Sequence, residues 1–407
     1  MAELATDLQA AGHRVSVVTT KPHYNRDPVA EASQPLAPMW GGLLYRSTFN
    51  GIPVLHTRIG QKRGGIAGRL FGWMQFHVLA SVAALFLVER PDVVLVPSPL
   101  LTLGALGWAI ARLRRGALLY NVQELYPDFA VKLGQLRNPL LIRMLLWLER
   151  FVYQRASAVA VIGEGMRQAI IAKGVPAEQV HLIPNFVDTG VLCPGARDNA
   201  FRRELGVGAA FVVTYAGNLG MAQGLDVLLE AAALLRDRKD IVFVLVGDGV
   251  LRDQLAGMIR DRTLDNARLV PHQPYARVPE IYAASDLCVV SMVGAIAAEA
   301  VPSKVLRIMA CGRPVLAMTD ASSDLARDVT SSGAGIVVPP ASAAAVAQAV
   351  VEWADDPARC SGAGGAGRAW VTRRYSRPVV TALYSTLIDR LAVRTPRADA
   401  IRDVRGC

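Results

Sequence analysis

At 407 residues the chain is long enough for two domains that each bury a core, and an apolar share of 52% without a low-complexity tract excludes a disordered or fibrous protein. Its 44 Lys and Arg outweigh 34 Asp and Glu, a net charge of +10 that is unevenly spread: residues 1–190 hold 19 basic against 12 acidic side chains, and residues 191–407 hold 25 against 22. The first half is therefore the better partner for an anionic surface, membrane phosphate or a lipid-linked diphosphate, whereas dispersed charge without a recognition motif argues against nucleic acid.

In chain order, MAELATDLQAAG reads as a helix stopped by Gly12, and HRVSVVTT as the parallel strand after it. A parallel strand reached through a helix needs an earlier strand, so the first domain is expected to lack its first strand. Arg26 to Gly65 reads as a basic, loop-rich stretch. Leu70 to Val88 is about long enough to span a bilayer, but it carries Gln75, His77 and Ser81 and leads into the strand DVVLVP. A core or membrane-touching helix and a true span are both open there. A small-residue helix, Ser98 to Ile110, precedes the strand GALLYNVQ, and the polar loop Gln123-Glu124-Leu125-Tyr126-Pro127-Asp128 stands at that strand's carboxyl end. Leu136 to Arg155 is amphipathic, with Arg143, Arg150 and Arg155 among Leu, Ile, Met and Trp147; it suits either a membrane interface or a helix whose arginines snorkel outward from the sheet.

After SAVAVIG, a helix from Glu164 to Lys173 and VHLIPNFVD, a Pro- and Gly-containing linker at Cys193 to Asn199 separates the halves. The alternation then restarts with FVVTYAG, a turn at Asn218 to Gly224, a helix at Leu225 to Leu235, IVFVLVGDG, ARLVPHQP, LCVVSM, PVLAM and GIVVPP. Strand and helix alternating in this way predict a doubly wound α/β sheet in each half, with ligands bound beyond the strands' carboxyl ends. Last helices are expected over Ser342 to Trp353 and Pro378 to Leu391, and the basic tail from Arg394 as disordered. Cys193, Cys288, Cys311, Cys360 and Cys407 are scattered without C-x-x-C spacing, which argues against a disulfide framework or a zinc site and fits a reducing cytosol.

The most informative stretch is EAVPSKVLRIMACGRPVL, Glu299 to Leu316. Pro302 and Ser303 open a short helix whose unpaired N–H groups and dipole favour an anion, and Lys304 and Arg307, three apart, share the face near that end. A nucleotide diphosphate suits such a place. A capped surface helix with two solvated cations is the other reading of the same residues.

YAGNLGMAQGLDVLLEAA, VLVGDG and VPSKVLRIMACGRPVLA resemble the C-terminal domain of family-four glycosyltransferases of the GT-B fold, and VIGEGMRQAIIAKGVPAEQVHLIPNFVDT resembles the segment joining their two domains. The chain looks most similar to bacterial polysaccharide enzymes such as fucosyl- and N-acetylfucosaminyl-transferases. The resemblance implies two Rossmann-like domains facing a cleft: an acceptor domain at 1–192, a nucleotide-sugar domain at 200–375, a helix at 376–393 packing back on the first domain, and a tail at 394–407. It implies a retaining transfer from a UDP- or GDP-sugar to a lipid-linked or polysaccharide-precursor acceptor, cytoplasmic and peripheral at the membrane, with no cofactor and no metal; no Asp-x-Asp occurs in the sequence. Glu299 matches the first glutamate of the family's E-x7-E pattern, near the donor sugar, while Arg307 stands where the second carboxylate is usual. Gly217-Asn218-Leu219-Gly220 matches the diphosphate loop, with Asn218 and Gln223 in place of the usual Arg and Lys. Lys304 is then expected to carry the leaving-group charge, with Pro302, Ser303 and Arg307 beside it, and His272 to lie near the base. Gln123, Glu124, Tyr126 and Asp128 correspond to the acceptor side, Glu124 with a catalytic part. A nucleotide-sugar epimerase of similar shape and a non-catalytic nucleotide-sugar-binding subunit are the alternatives.

Overall fold

The computed structural model describes residues 1–21, 32, 34–59, 65–132, 134–292 and 303–393. Glu299, Pro302 and the tail at 394–407 lie outside these residues. Among the described residues before the linker there are eight strands: β1 (Val17–Thr20), β2 (Ala37–Met39), β3 (Leu44–Phe49), β4 (Ile52–Thr57), β5 (Val93–Pro97), β6 (Ala117–Val122), β7 (Ala158–Val161) and β8 (Val180–Leu182). They form one mixed sheet ordered β1-β4-β3-β2 and one parallel sheet ordered β5-β6-β7-β8. The described part of the expected loop-rich stretch is thus corrected to three strands. Asn50 and Gly51 both adopt positive φ, 48° and 83°, and join Phe49 to Ile52 in a two-residue hairpin.

The described α-helices of this half are α1 (Ala2–Ala10), α2 (Gly65–Val82), α3 (Leu101–Leu113), α4 (Asp128–Lys132), α5 (Pro139–Arg155) and α6 (Glu164–Ala172). Asn138 caps α5 by accepting from the Leu140 and Leu141 amides at 3.0 and 3.2 Å, with Pro139 in the first turn. The apolar run at 70–88 is settled as α2 followed by a π-helical turn at Ala83–Leu87; among the described residues no helix is long and apolar enough to cross a membrane.

The second half contains α7 (Ala200–Leu205), β9 (Phe211–Ala216), α8 (Leu225–Leu234), β10 (Ile241–Val246), α9 (Arg252–Asp261), β11 (Ala267–Val270), α10 (Val278–Ala284), β12 (Leu287–Ser291), α11 (Ser303–Ala310), β13 (Val315–Met318), α12 (Asp324–Ser332), β14 (Gly335–Val338) and α13 (Ala343–Ala354). Its six parallel strands run β11-β10-β9-β12-β13-β14. Every residue of β10 is buried, as expected for an apolar strand covered on both faces by helices. The order reverses between β9 and β12, so the crevice of this doubly wound sheet opens beyond the carboxyl ends of those two strands. Gly217 follows one of them, and α11 is the next described element after the other.

Two further helices follow among the described residues, α14 (Pro357–Arg374) and α15 (Arg377–Val393). The first is not among the helices anticipated from the sequence, where GAGGAG breaks the helical pattern. Its glycines are there for close approach: a Cβ on Gly364 would lie 2.1 Å from the Gly312 carbonyl oxygen, and one on Gly367 would lie 2.9 Å from Ala334 Cβ. Val380, Tyr384, Leu387 and Leu391 of α15 bury themselves with Leu4 and Leu8 of α1 and Leu119 of β6. The backbone crosses between the halves where the Val187 amide donates to the Tyr375 carbonyl at 2.9 Å and the Arg377 amide to the Val187 carbonyl at 3.0 Å. Arg377 fastens this joint to α1 through a two-pronged pair with Asp7, its nearest contact 2.7 Å.

Candidate functional site

The turn after β9 lies against backbone that leaves no room for a side chain at two glycines. Its Gly217 and Leu219 amides donate to the Val246 carbonyl at 2.9 Å and the Asp248 carbonyl at 2.8 Å. A Cβ on Gly247 would meet the Gly217 carbonyl oxygen at 1.9 Å, and one on Gly249 the Leu219 carbonyl oxygen at 2.5 Å. The glycines of VLVGDG are therefore a mould for the glycine turn, and Asp248 closes its own turn by accepting from the Gly249 amide at 2.8 Å. Around Gly220 the Asn218 and Gln223 side chains close in, and Gln223 Oε1 is buried without a hydrogen-bond partner.

Lys304 reaches this turn from α11. That helix buries Val305, Leu306, Ile308, Met309 and Ala310 on one side, which turns Lys304 and Arg307 to the other. Lys304 Nζ lies 2.9 Å from where a Cβ on Gly217 would stand, donates to the Tyr215 hydroxyl at 2.8 Å and sits 4.0 Å from that ring's centre. No carboxylate among the described residues pairs with it. Desolvation, with Arg307 nearby, lowers the ammonium's pKa to about 7. Arg307 lies over the Tyr275 ring at 5.4 Å, Ser303 is exposed at the start of α11, and His272 is exposed in the loop after β11. The structure thus gathers Gly217, Asn218, Gly220, Gln223 and Lys304, with Leu219 buried beneath the turn. Tyr215 is a member that sequence reasoning missed; the available signal was a tyrosine in a buried strand, whose hydroxyl must find partners.

In the first half, Ser98 ties together the loops after β5 and β6: its hydroxyl accepts from the Gln123 amide at 2.8 Å and the Glu124 amide at 3.4 Å. Gln123 donates onward to buried Asn121 at 2.9 Å, Glu124 is exposed and Tyr126 half-buried. Asp128 is held differently, because its carboxylate meets Lys173 Nζ at 2.8 Å while the same ammonium contacts Glu149 at 2.7 Å. Burial pushes the Glu149 carboxyl up, with Lys173 working against it. Desolvation would lower Lys173, but its bonds to Asp128 and Glu149 leave it raised. Among the described residues no group of three or more His, Cys, Asp or Glu could hold a metal ion.

The two Rossmann-like halves have the GT-B fold, and matches to two families make the chain a glycosyltransferase. Residues 1–185 match the family described as glycosyl transferase 4-like domain and residues 210–356 the family of glycosyl transferases group 1. The two matches together span most of the chain, which is a glycosyltransferase. It is 27% identical over 361 residues to the putative colanic acid biosynthesis glycosyl transferase WcaI of Escherichia coli, covering 84% of this chain and 85% of that one. It is 27% identical over 257 residues to the probable glycosyltransferase WbjE of Pseudomonas aeruginosa, covering 63% and 64%. Among solved structures, Alr3699/HepE of Anabaena in complex with UDP superposes with a TM-score of 0.71 at 18% identity, covering 96% of each chain, a likeness of fold.

Proposed function

We propose that this glycosyltransferase moves a sugar, with retention, from a UDP- or GDP-sugar to a lipid-linked or polysaccharide-precursor acceptor, without a metal. The observation that carries the reading is Lys304, a desolvated cation without a described counter-ion, set against a glycine turn at the point where the strand order reverses. A diphosphate there supplies the missing negative charge. The name of one relative, a putative colanic acid biosynthesis glycosyl transferase, and the UDP complex of a protein of like fold support it; nothing in the fold or these relatives favours an epimerase or a non-catalytic subunit. In the reaction we envisage, the acceptor oxygen attacks the anomeric carbon on the face from which the diphosphate departs. The departing diphosphate takes the acceptor proton, and Lys304 with Arg307 stabilises its growing charge. In this reading Glu299 has its part at the donor sugar through the family pattern alone, and Gln123, Glu124 and Tyr126 meet the acceptor. Sugar release from labelled UDP- and GDP-sugars, with and without a polyprenyl acceptor, tests it: transfer that needs the acceptor is expected, and interconversion of sugars or binding without turnover would overturn it.

The acceptor class implies a membrane surface, and two helices of the first half offer one. Phe71, Met74 and Val78 of α2 and Leu140, Met144 and Trp147 of α5 are exposed at helical spacing. Both helices pack on α3, His77 meeting Thr102 at 3.0 Å and Phe151 meeting Trp108 edge to face at 5.0 Å. Arg143 and Arg150 are exposed on α5, where Glu149 is buried and paired, so the charge presented outward is positive. Flotation with anionic liposomes at low salt should carry the protein upward, and Trp147→Ser should weaken this; failure to float where attraction is strongest would remove the idea.

A further inference from the structure

Tyr215 touches two parts of the donor site with one atom. Its hydroxyl donates to the Asn218 carbonyl at 2.7 Å and accepts from Lys304 Nζ at 2.8 Å, while the ring, fully buried, lies 4.0 Å beneath the ammonium. A phenol has one proton to give. With that proton committed to Asn218, the oxygen presents only lone pairs to Lys304, so the ammonium approaches from one direction and its other two protons point elsewhere. The carbonyl that receives the phenol proton belongs to the glycine turn, so turn and lysine are set relative to each other by the same oxygen. A carboxylate in this place would hold the lysine too, but it would cancel the charge and compete with an arriving anion; a phenol holds without neutralising.

We propose that Tyr215 is a positioning residue that holds Lys304, unpaired with any described carboxylate, at the glycine turn for a nucleotide diphosphate. The inference rests on the donor reading given above, and it adds a residue that acts through Lys304 and touches no substrate atom. Tyr215→Phe keeps the ring and its packing and removes the oxygen.

The experiment is a double-mutant cycle on ligand affinity, using UDP or GDP, whichever the wild-type enzyme binds, against the corresponding nucleoside without phosphate. Lys304→Ala is expected to weaken the diphosphate about ten- to hundredfold, and Tyr215→Phe about fivefold, with nucleoside affinity unchanged in both. Tyr215→Phe with Lys304→Ala should bind the diphosphate as Lys304→Ala alone does. If the two losses multiply instead, Tyr215 does not work through the lysine and the inference fails while the donor site stands. Equal loss of diphosphate and nucleoside in Tyr215→Phe marks general damage and also overturns it. An unchanged diphosphate affinity in Lys304→Ala removes the donor reading and the inference with it.

Discussion

Two partly buried lysines, one in each half of the molecule, show opposite ways of enclosing a positive charge. Lys173 lies between Asp128 and Glu149 at 2.8 and 2.7 Å, and these bonds keep its ammonium raised above its ordinary value despite burial. Lys304 has a tyrosine hydroxyl at 2.8 Å and Arg307 nearby, and its ammonium falls to about 7. The first arrangement is complete in itself and serves the fold, anchoring α4 and α5 to the end of α6. The second is incomplete, and a charge enclosed without its counter-ion is where a ligand is to be sought. By the same argument Asp128, which the polar loop at 123–128 offers as an acceptor contact, spends its charge inside the protein, while Glu124 remains exposed.

The largest effect should come from breaking the complete arrangement. Lys173→Ala leaves Glu149, 1% exposed, without its cation, and should cost about 3–5 kcal/mol in denaturant unfolding. Lys304→Ala removes a charge that burial disfavours, so its stability should hold or rise. Equal losses in the two variants would collapse the comparison. Next in size is activity: Lys304→Ala and Arg307→Ala should each lower kcat/KM about ten- to hundredfold, or about 1.5–3 kcal/mol, while the exposed control Arg236→Ala should hardly change it. If all three behave alike, the phosphate site is elsewhere.

A smaller effect follows from pH. The ligand-free folded protein releases the Lys304 proton near 7 and the unfolded chain near the ordinary value of 10.5, so this group's contribution to stability rises as pH goes from about 7 to 10.5 and is lost as pH falls through 7. A bound diphosphate favours the charged form. Nucleotide binding at pH 8 should therefore take up a proton, seen by calorimetry in buffers of different ionisation enthalpy. Affinity should fall by up to about tenfold per pH unit above 7. Lys304→Ala should show neither effect.

What was legible in the sequence is what is local. The glycine turn and the Ser-Lys start of α11 are contiguous motifs, and the buried strands are plain from apolar runs such as IVFVLV. The pairing that makes the site joins residues 89 positions apart, brought together by the reversal of strand order between β9 and β12. No periodicity announces that Tyr215 will face Lys304. The helix α14 was hidden for a related reason: its glycines read as helix breakers, and their purpose is visible only against Gly312 and Ala334. The β3–β4 hairpin is a different matter, since Asn50-Gly51 between apolar strands is a strong local signal that a basic, proline-containing neighbourhood obscured.

The comparison extends to an acid, and there the smallest effect is expected. Asp328 of α12 receives the Tyr375 hydroxyl at 3.1 and 3.2 Å, next to the residues that carry the chain from the second half back to the first. Burial raises its carboxyl to about 6; the Tyr375 bond works against this and the nearby Asp324 adds to it. Like Lys304, it is a partly buried charge whose hydrogen-bond partner is a phenol. Because the folded value lies above the ordinary 3.8, the stability this group contributes is fully present below 3.8 and is lost as pH rises through about 6. The gap sets a ceiling of about 3 kcal/mol, and solvent screening of a half-buried side chain reduces the expectation to about 1 kcal/mol. Asp328→Asn keeps an acceptor for Tyr375 and cannot ionise. Between pH 4 and 8 the wild-type Tm should fall relative to that of the variant, which becomes the more stable of the two at pH 8. Parallel curves would mean that Asp328 titrates as an ordinary surface acid, and that a phenol beside a buried charge marks a ligand site at Lys304 without marking a strained charge in general.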